Sequence, residues 1–181
     1  MPKISFNSPF YFLTCVAHNR LPVFRTEAMK LLLCNALNEA RTSGEFLIFA
    51  YVIMADHLHI ITDGKRSPSD TLRYINGISA RRIIDHLKAA QHESSLKKLQ
   101  QADKKGGYKY SLWQHHSDKF VVTSENMLMQ KVNYIHLNPV RGELVDLPAE
   151  YKFSSARQWM GRAIEDEPLE TDHKQIVWWN K

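Results

Sequence analysis

Hydrophobic and polar positions change their period several times along the chain, and each change predicts an element. Residues 9–18, PFYFLTCVAH, are aromatic and β-rich and read as a first strand. The stretch 27–43, EAMKLLLCNALNEARTS, is rich in helix formers, with apolar positions at Leu32, Leu33, Ala36 and Leu37 and Gly44 as its C′ residue. Residues 46–54, FLIFAYVIM, form a strongly apolar strand, joined by a tight turn at Ala55-Asp56 to a second strand, 57–63, HLHIITD. Pro68 and Asp70 open a helix running to about His92, with Ile75, Ile78, Ile83 and Leu87 inward. The charged residues 93–107 predict a helix end followed by a flexible loop. A further strand within 110–122, clearest around KFVVT, precedes a last helix, 125–138, ENMLMQKVNYIHLN. Ser124 caps that helix and Pro139 is expected to stop it.

The order β-α-β-β-α-β-α predicts an α+β fold, a ferredoxin-like (RRM-like) antiparallel sheet with helices on one face. Residues 1–147 are assigned to that domain and 148–181 to a C-terminal extension whose role the sequence leaves open. Such a fold hosts many functions and decides none.

Composition narrows the class. With 44% hydrophobic and 24% charged residues in 181, the chain has globular values. No apolar run approaches the ~20 residues that cross a bilayer, so no membrane partner is expected. The N-terminus lacks the apolar region and cleavage site of a signal peptide, and Cys15 and Cys34 form no CxxC. Two buried thiols in a reduced protein, and hence the cytoplasm, are the expectation. The balance of 24 Lys+Arg against 19 Asp+Glu gives a net charge of +5. Basic residues crowd 65–109 and acids 165–172, which fits a polyanionic partner and fits an ordinary solvated surface equally well.

Chemistry enters with His57 and His59, which alternation places on the same side of their strand, with Leu58 and Ile60 pointing the other way. Two imidazoles about 7 Å apart along a strand can converge on one metal ion. They can equally be half-exposed histidines on a sheet face. On the last helix, Tyr134 and Asn138 share a face with Gln130 and Lys131 a turn earlier, while Leu128, Val132 and Ile135 form the opposite, core stripe. His136 points away from the Tyr134–Asn138 side and reads as structural.

VIMADHLHII, followed about 75 residues later by YIHLNPVRGELVDLPAEYKFSSARQW, resembles the single-tyrosine HUH transposases of the IS200/IS605 group. The similarity is greatest to the REP-associated tyrosine transposases and runs over about residues 9–160. The resemblance implies that His57 and His59 are metal ligands, that Tyr134 is the nucleophile, and that Asn138 stands where a third ligand sits, a glutamine in the IS200/IS605 members proper. It also implies single-stranded DNA carrying a hairpin as partner and Mg²⁺ or Mn²⁺ as cofactor. Relatives include both homodimers that share tyrosine helices and monomers acting in cis, and the sequence does not choose. There are departures: Ala55-Asp56 replaces the usual Pro-Asn before the first histidine, and Gly142-Glu143 replaces the usual Ala-Gly. Asp56 leaves the coordination set open.

In that reading Tyr134 attacks phosphorus, forming a 5′-phosphotyrosine and releasing a 3′-hydroxyl. A phenol of pKa about 10 is only ~0.1% ionised at pH 7, so it must lose its proton during attack, to water or a base, with Lys131 as the assisting group. Arg81, Arg82, Lys88 and Arg141 are the candidate phosphate contacts, and Trp113 or Tyr108 the candidate base-stacking residues. Trp113 suits the core equally. Two rival readings are a non-catalytic RRM-like nucleic-acid module stacking bases on Phe10, Phe12 and Tyr51, and a metal-dependent phosphoesterase using water.

Overall fold

A computed structural model describes residues 1–101 and 109–178; Tyr108 and the end of the 93–107 segment lie outside the described residues. The elements are β1 (Phe10–Val16), α1 (Glu27–Gly44), β2 (Ile48–Ile53), β3 (His57–Thr62), α2 (Pro68–Ala89), α3 (Glu93–Lys98), β4 (Asp118–Val122), α4 (Glu125–Arg141) and α5 (Ala156–Trp159). The sheet order is β2-β3-β1-β4, every pair antiparallel, which is the ferredoxin-like arrangement with α3 as a short addition.

Side-chain alternation along β4 shows how the layers lie. Lys119 reaches the Ser69 hydroxyl of α2 at 2.9 Å, while its neighbour Phe120 lies beneath the Lys131 ammonium of α4, 4.1 Å from the ring centroid. Helices α1 and α2, packed on each other, therefore cover one face, and α4 crosses the other. The helices are thus divided between the faces rather than gathered on one. Leu128, Val132 and Ile135 hold α4 in place at 0–1% exposure. Burying each contributes about 1.5–3 kcal/mol.

Two helix ends differ from expectation. Gly44 is the last residue of α1, and Glu45 takes the left-handed backbone at φ 51°. Gly44 is needed for packing instead: a Cβ there would lie 2.8 Å from the Phe46 ring and 3.0 Å from that of Tyr74. Pro139 does not stop α4, which runs on to Arg141. Pro139 gives up its own N–H bond and crowds the Ile135 carbonyl, but the helix continues past it and the Gly142 N–H still reaches the Asn138 carbonyl at 2.9 Å. Closure comes from Glu143 at φ 55°, with Glu143 N–H to Val140 O at 3.0 Å and Leu144 N–H to Pro139 O at 2.9 Å. That pair of bonds is a Schellman motif.

The C-terminal extension seals the free edge of β2. The Ile53 N–H donates to Phe153 O at 2.9 Å, Ser155 N–H to Tyr51 O at 3.0 Å, and the Trp159 indole to Phe49 O at 2.8 Å. An exposed edge would be a template for association, and here it is paired. Among the described residues no helix is long and apolar enough to cross a membrane.

Candidate active site

The register brings together residues far apart in sequence. Thr14 on β1 pairs with His59 on β3, and its hydroxyl meets His59 Nδ1 at 2.9 Å. Asp56, in the β2–β3 turn, holds His57 Nδ1 at 2.6 Å through one carboxylate oxygen and Arg20 at 3.2 Å through the other. Both imidazoles are thus fixed through Nδ1, and among the described residues neither Nε2 takes a hydrogen bond. The rings stand 4.8 Å apart, centroid to centroid. Asp56 thus bridges a histidine and an arginine.

Burial, reinforced by the nearby charges of His57 and Lys131, pushes the His59 pKa down to about 3, so the ring is neutral at pH 7. Burial works to raise the Asp56 carboxyl, but hydrogen bonds and charges from His57 and Arg20 outweigh it and hold the group below its usual value.

From α4, Tyr134 comes within 5.3 Å of the His59 ring and 5.9 Å of Phe12, centroid to centroid, and remains 40% exposed. Asn138 donates through Nδ2 to the Tyr134 carbonyl at 2.9 Å, which leaves Oδ1 as its free acceptor. The Lys131 ammonium rests between Phe12 and Phe120, 4.8 and 4.1 Å from their centroids. These groups line one cavity of about 680 Å³ with His57, and a single chain supplies them all. Two tethered imidazoles and an amide oxygen are a donor set that fits a divalent ion while leaving coordination positions open. Among the described residues no group of three His, Cys, Asp or Glu side chains is placed to hold a metal.

The candidate DNA contacts divide. Arg141 does not line the cavity but lies beside it, its guanidinium carbon 5.4 Å from the Tyr134 ring centroid. Arg81 is exposed on α2, beyond the sheet from this cavity. Arg82 spends its fork on Glu39 of α1, with two bonds of 2.7 Å, and Lys88 lies 3.9 Å from Asp85. Trp113 is a correction: at 5% exposure, with its indole donating to Ser79 at 2.9 Å and its ring 5.3 Å from Phe24, it is a core residue with no face for a base. Phe10, Phe12 and Tyr51, at 0–7% exposure, offer no RRM-like stacking platform either. Sequence reasoning missed Thr14, Arg20 and the exposed Phe120. Only strand register could have signalled Thr14 and Phe120, and no local pattern marks Arg20.

Fold and site define a ferredoxin-like domain that aims a histidine pair at a helix-borne tyrosine. A family model described as "Transposase IS200 like" matches residues 6–138, and the chain belongs to that family of transposases. No curated protein sequence matches it. Among solved structures it is similar to a REP-associated tyrosine transposase bound to a REP hairpin, with TM-score 0.60 and 18% identity over 92% of this chain and 87% of that one. A candidate transposase of Deinococcus radiodurans has TM-score 0.49 and 22% identity over 71% of this chain and 88% of that one. At 18% identity the likeness to the REP-associated transposase is one of fold.

Proposed function

We propose that this transposase cleaves and rejoins single-stranded DNA beside a hairpin through a covalent 5′-phosphotyrosine at Tyr134. The observation that carries this reading is the placement of the Tyr134 ring 5.3 Å from His59, itself one of two imidazoles tethered through Nδ1. His57, His59 and Asn138 Oδ1 would hold Mg²⁺ or Mn²⁺, which when bound supplies Lewis-acid polarisation of the scissile phosphate. The hairpin-bound structure of similar fold supports hairpin DNA as the partner.

The tyrosine Oη–P bond forms as the P–O3′ bond breaks; the phenolic proton passes to solvent and the 3′ oxygen takes one up. Lys131, one turn before Tyr134, and Arg141, over its ring, place two cations beside the developing phenolate and the phosphate. The bond energy stays in the adduct, so the strand is rejoined without a nucleotide cofactor.

The test mixes the protein with labelled hairpin DNA from the flanks of its own gene and Mn²⁺, then runs a denaturing gel. Label migrating with the protein, and lost in Tyr134→Phe and with EDTA, is the expected result. Cleavage that persists in Tyr134→Phe without an adduct would replace this reading with a water-using phosphoesterase.

A further inference from the structure

Arg20 lines the catalytic cavity, and the chemistry above gives it no role. It stands in the turn that follows β1, where Asn19 and Arg20 both hold φ 52°. Two successive left-handed residues without a glycine are uncommon, and such backbone collects at functional sites, where the surroundings impose it. Here the Ala17 N–H donates to Asp56 O and the His18 N–H to Leu112 O, both at 2.8 Å. The Arg20 and Leu21 N–H groups close back on Ala17 O and His18 O at 2.9 and 3.1 Å. The turn is thereby tied to the β2–β3 turn that carries Asp56. Among the described residues the Arg20 side chain makes one hydrogen bond, Nη1 to Asp56 Oδ2 at 3.2 Å. With that side chain 67% exposed the pair is weak, and the other guanidinium N–H groups remain for a ligand.

Strand register fixes where this arginine stands relative to the tyrosine. On the cavity face, Phe12, Thr14 and Val16 of β1 pair in turn with Ile61, His59 and His57 of β3. Tyr134 packs over the first two rows, 5.3 Å from the His59 ring and 5.9 Å from that of Phe12, centroid to centroid. Lys131, over Phe12, is at the same end. Arg20 follows the last row, past Val16, and is joined to His57 through Asp56. Tyr134 and Arg20 therefore flank the histidine pair from opposite ends. In an in-line displacement the attacking and leaving oxygens lie on opposite sides of phosphorus. Lys131 and Arg141 attend the tyrosine, so the departing oxygen falls at the Arg20 end.

We propose that Arg20 is a catalytic residue that stabilises the leaving 3′ oxygen. As the tyrosine Oη–P bond forms and the P–O3′ bond breaks, the electron pair of the broken bond goes to O3′. The guanidinium donates a hydrogen bond to that oxygen and keeps its own proton, while solvent protonates the alkoxide. The charge exists only as the bond breaks, so the contact belongs to the transition state rather than to DNA binding. The inference rests on the phosphoryl-transfer reading above and adds to it the group opposite the nucleophile.

The test compares wild type with Arg20→Gln on hairpin DNA from the gene's flanks. The linkage that wild type cleaves is mapped on the gel and remade with sulfur in place of the 3′ oxygen. A thiol of pKa about 8.5 departs as its anion at about pH 8 with little help. Single-turnover cleavage in Mn²⁺ should fall about 100-fold in Arg20→Gln on the oxygen substrate and less than about fivefold on the sulfur one. DNA affinity in EDTA and Mn²⁺ affinity by calorimetry should stay within about threefold of wild type, because neither bound state develops the charge. An equal loss of rate on the two substrates overturns the proposal; joined to a drop in Mn²⁺ affinity, it makes Arg20 a support of His57 through Asp56. A loss confined to DNA affinity overturns it as well. Cleavage without an adduct, rescued by sulfur in Arg20→Gln, sustains Arg20 and sinks the tyrosine chemistry. A wild type that neither cleaves nor forms an adduct sinks both.

Discussion

The end of α4 carries a strain that one substitution should release. Glu143 holds φ 55°, the left-handed region in which a side chain costs about 1–2 kcal/mol. The Schellman closure requires that conformation, because Glu143 and Leu144 donate backward to Val140 and Pro139. Glu143 also places a negative charge at the negative end of the helix, worth about 0.3–1 kcal/mol against it, and makes no ion pair among the described residues. Glycine removes the strain but loses about 0.5–1 kcal/mol to its greater freedom when unfolded. Glu143→Gly should therefore gain roughly 1 kcal/mol net, or about 2–4 °C in Tm for a chain of this size. Glu143→Ala separates the parts, since it removes the charge and keeps the strained backbone, so it should gain less than the glycine variant. Urea unfolding of the three proteins measures both differences. If the glycine variant is no more stable than the alanine variant, the backbone strain is absent and the argument fails. The substitution also restores half of the Ala-Gly order usual in the family the sequence resembles.

Two further predictions concern histidines. Burial, then the His173 charge, depresses the His136 pKa to about 4, below its unfolded value of about 6.5. Unfolding therefore takes up a proton between those values, and up to about 3 kcal/mol of stability present above pH 6.5 is lost as pH falls toward 4. His136→Gln, which can still bond Ser155, should flatten that part of the stability curve; parallel curves for the two proteins would contradict it. Thr14→Val keeps the shape of the side chain and removes the hydroxyl bonded to His59 Nδ1. Mn²⁺ affinity should drop about 10–100-fold by calorimetric titration, and an unchanged affinity would remove Thr14 from the support of that ligand.

What could be read from the sequence was whatever has a short period. Alternation put His57 and His59 on one side of β3, and helical spacing put Tyr134 and Asn138 together on α4, with Leu128, Val132 and Ile135 as the buried stripe. What could not be read depends on pairing across the chain. Thr14 supports His59 only because β1 and β3 pair in that register, 45 residues apart in sequence. Trp113 carries the same amphipathic ring whether it stacks on a base or fills a core, and the Ser79 hydroxyl on α2 makes it a core residue. Pro139 looked like a stop because its missing N–H was weighed alone, whereas the Schellman bonds that close α4 lie just beyond it.

The same distinction bears on the boundary drawn after residue 147. Hydrogen bonds tie the extension to the domain before it. Ser155 accepts from the Tyr51 N–H of β2 at 3.0 Å and meets His136 Nε2 of α4 at 2.9 Å, so one side chain joins the edge strand to the tyrosine helix. His136 lies two residues from Tyr134 and faces the core while Tyr134 faces the cavity. The extension therefore braces α4 from behind, on the side opposite the chemistry. If Tyr134 is the nucleophile proposed above, its position to a fraction of an ångström matters, and bracing α4 from behind fixes it. Residues 148–178 thus belong to the support of the site as much as to the closure of the sheet, although none of them lines the catalytic cavity.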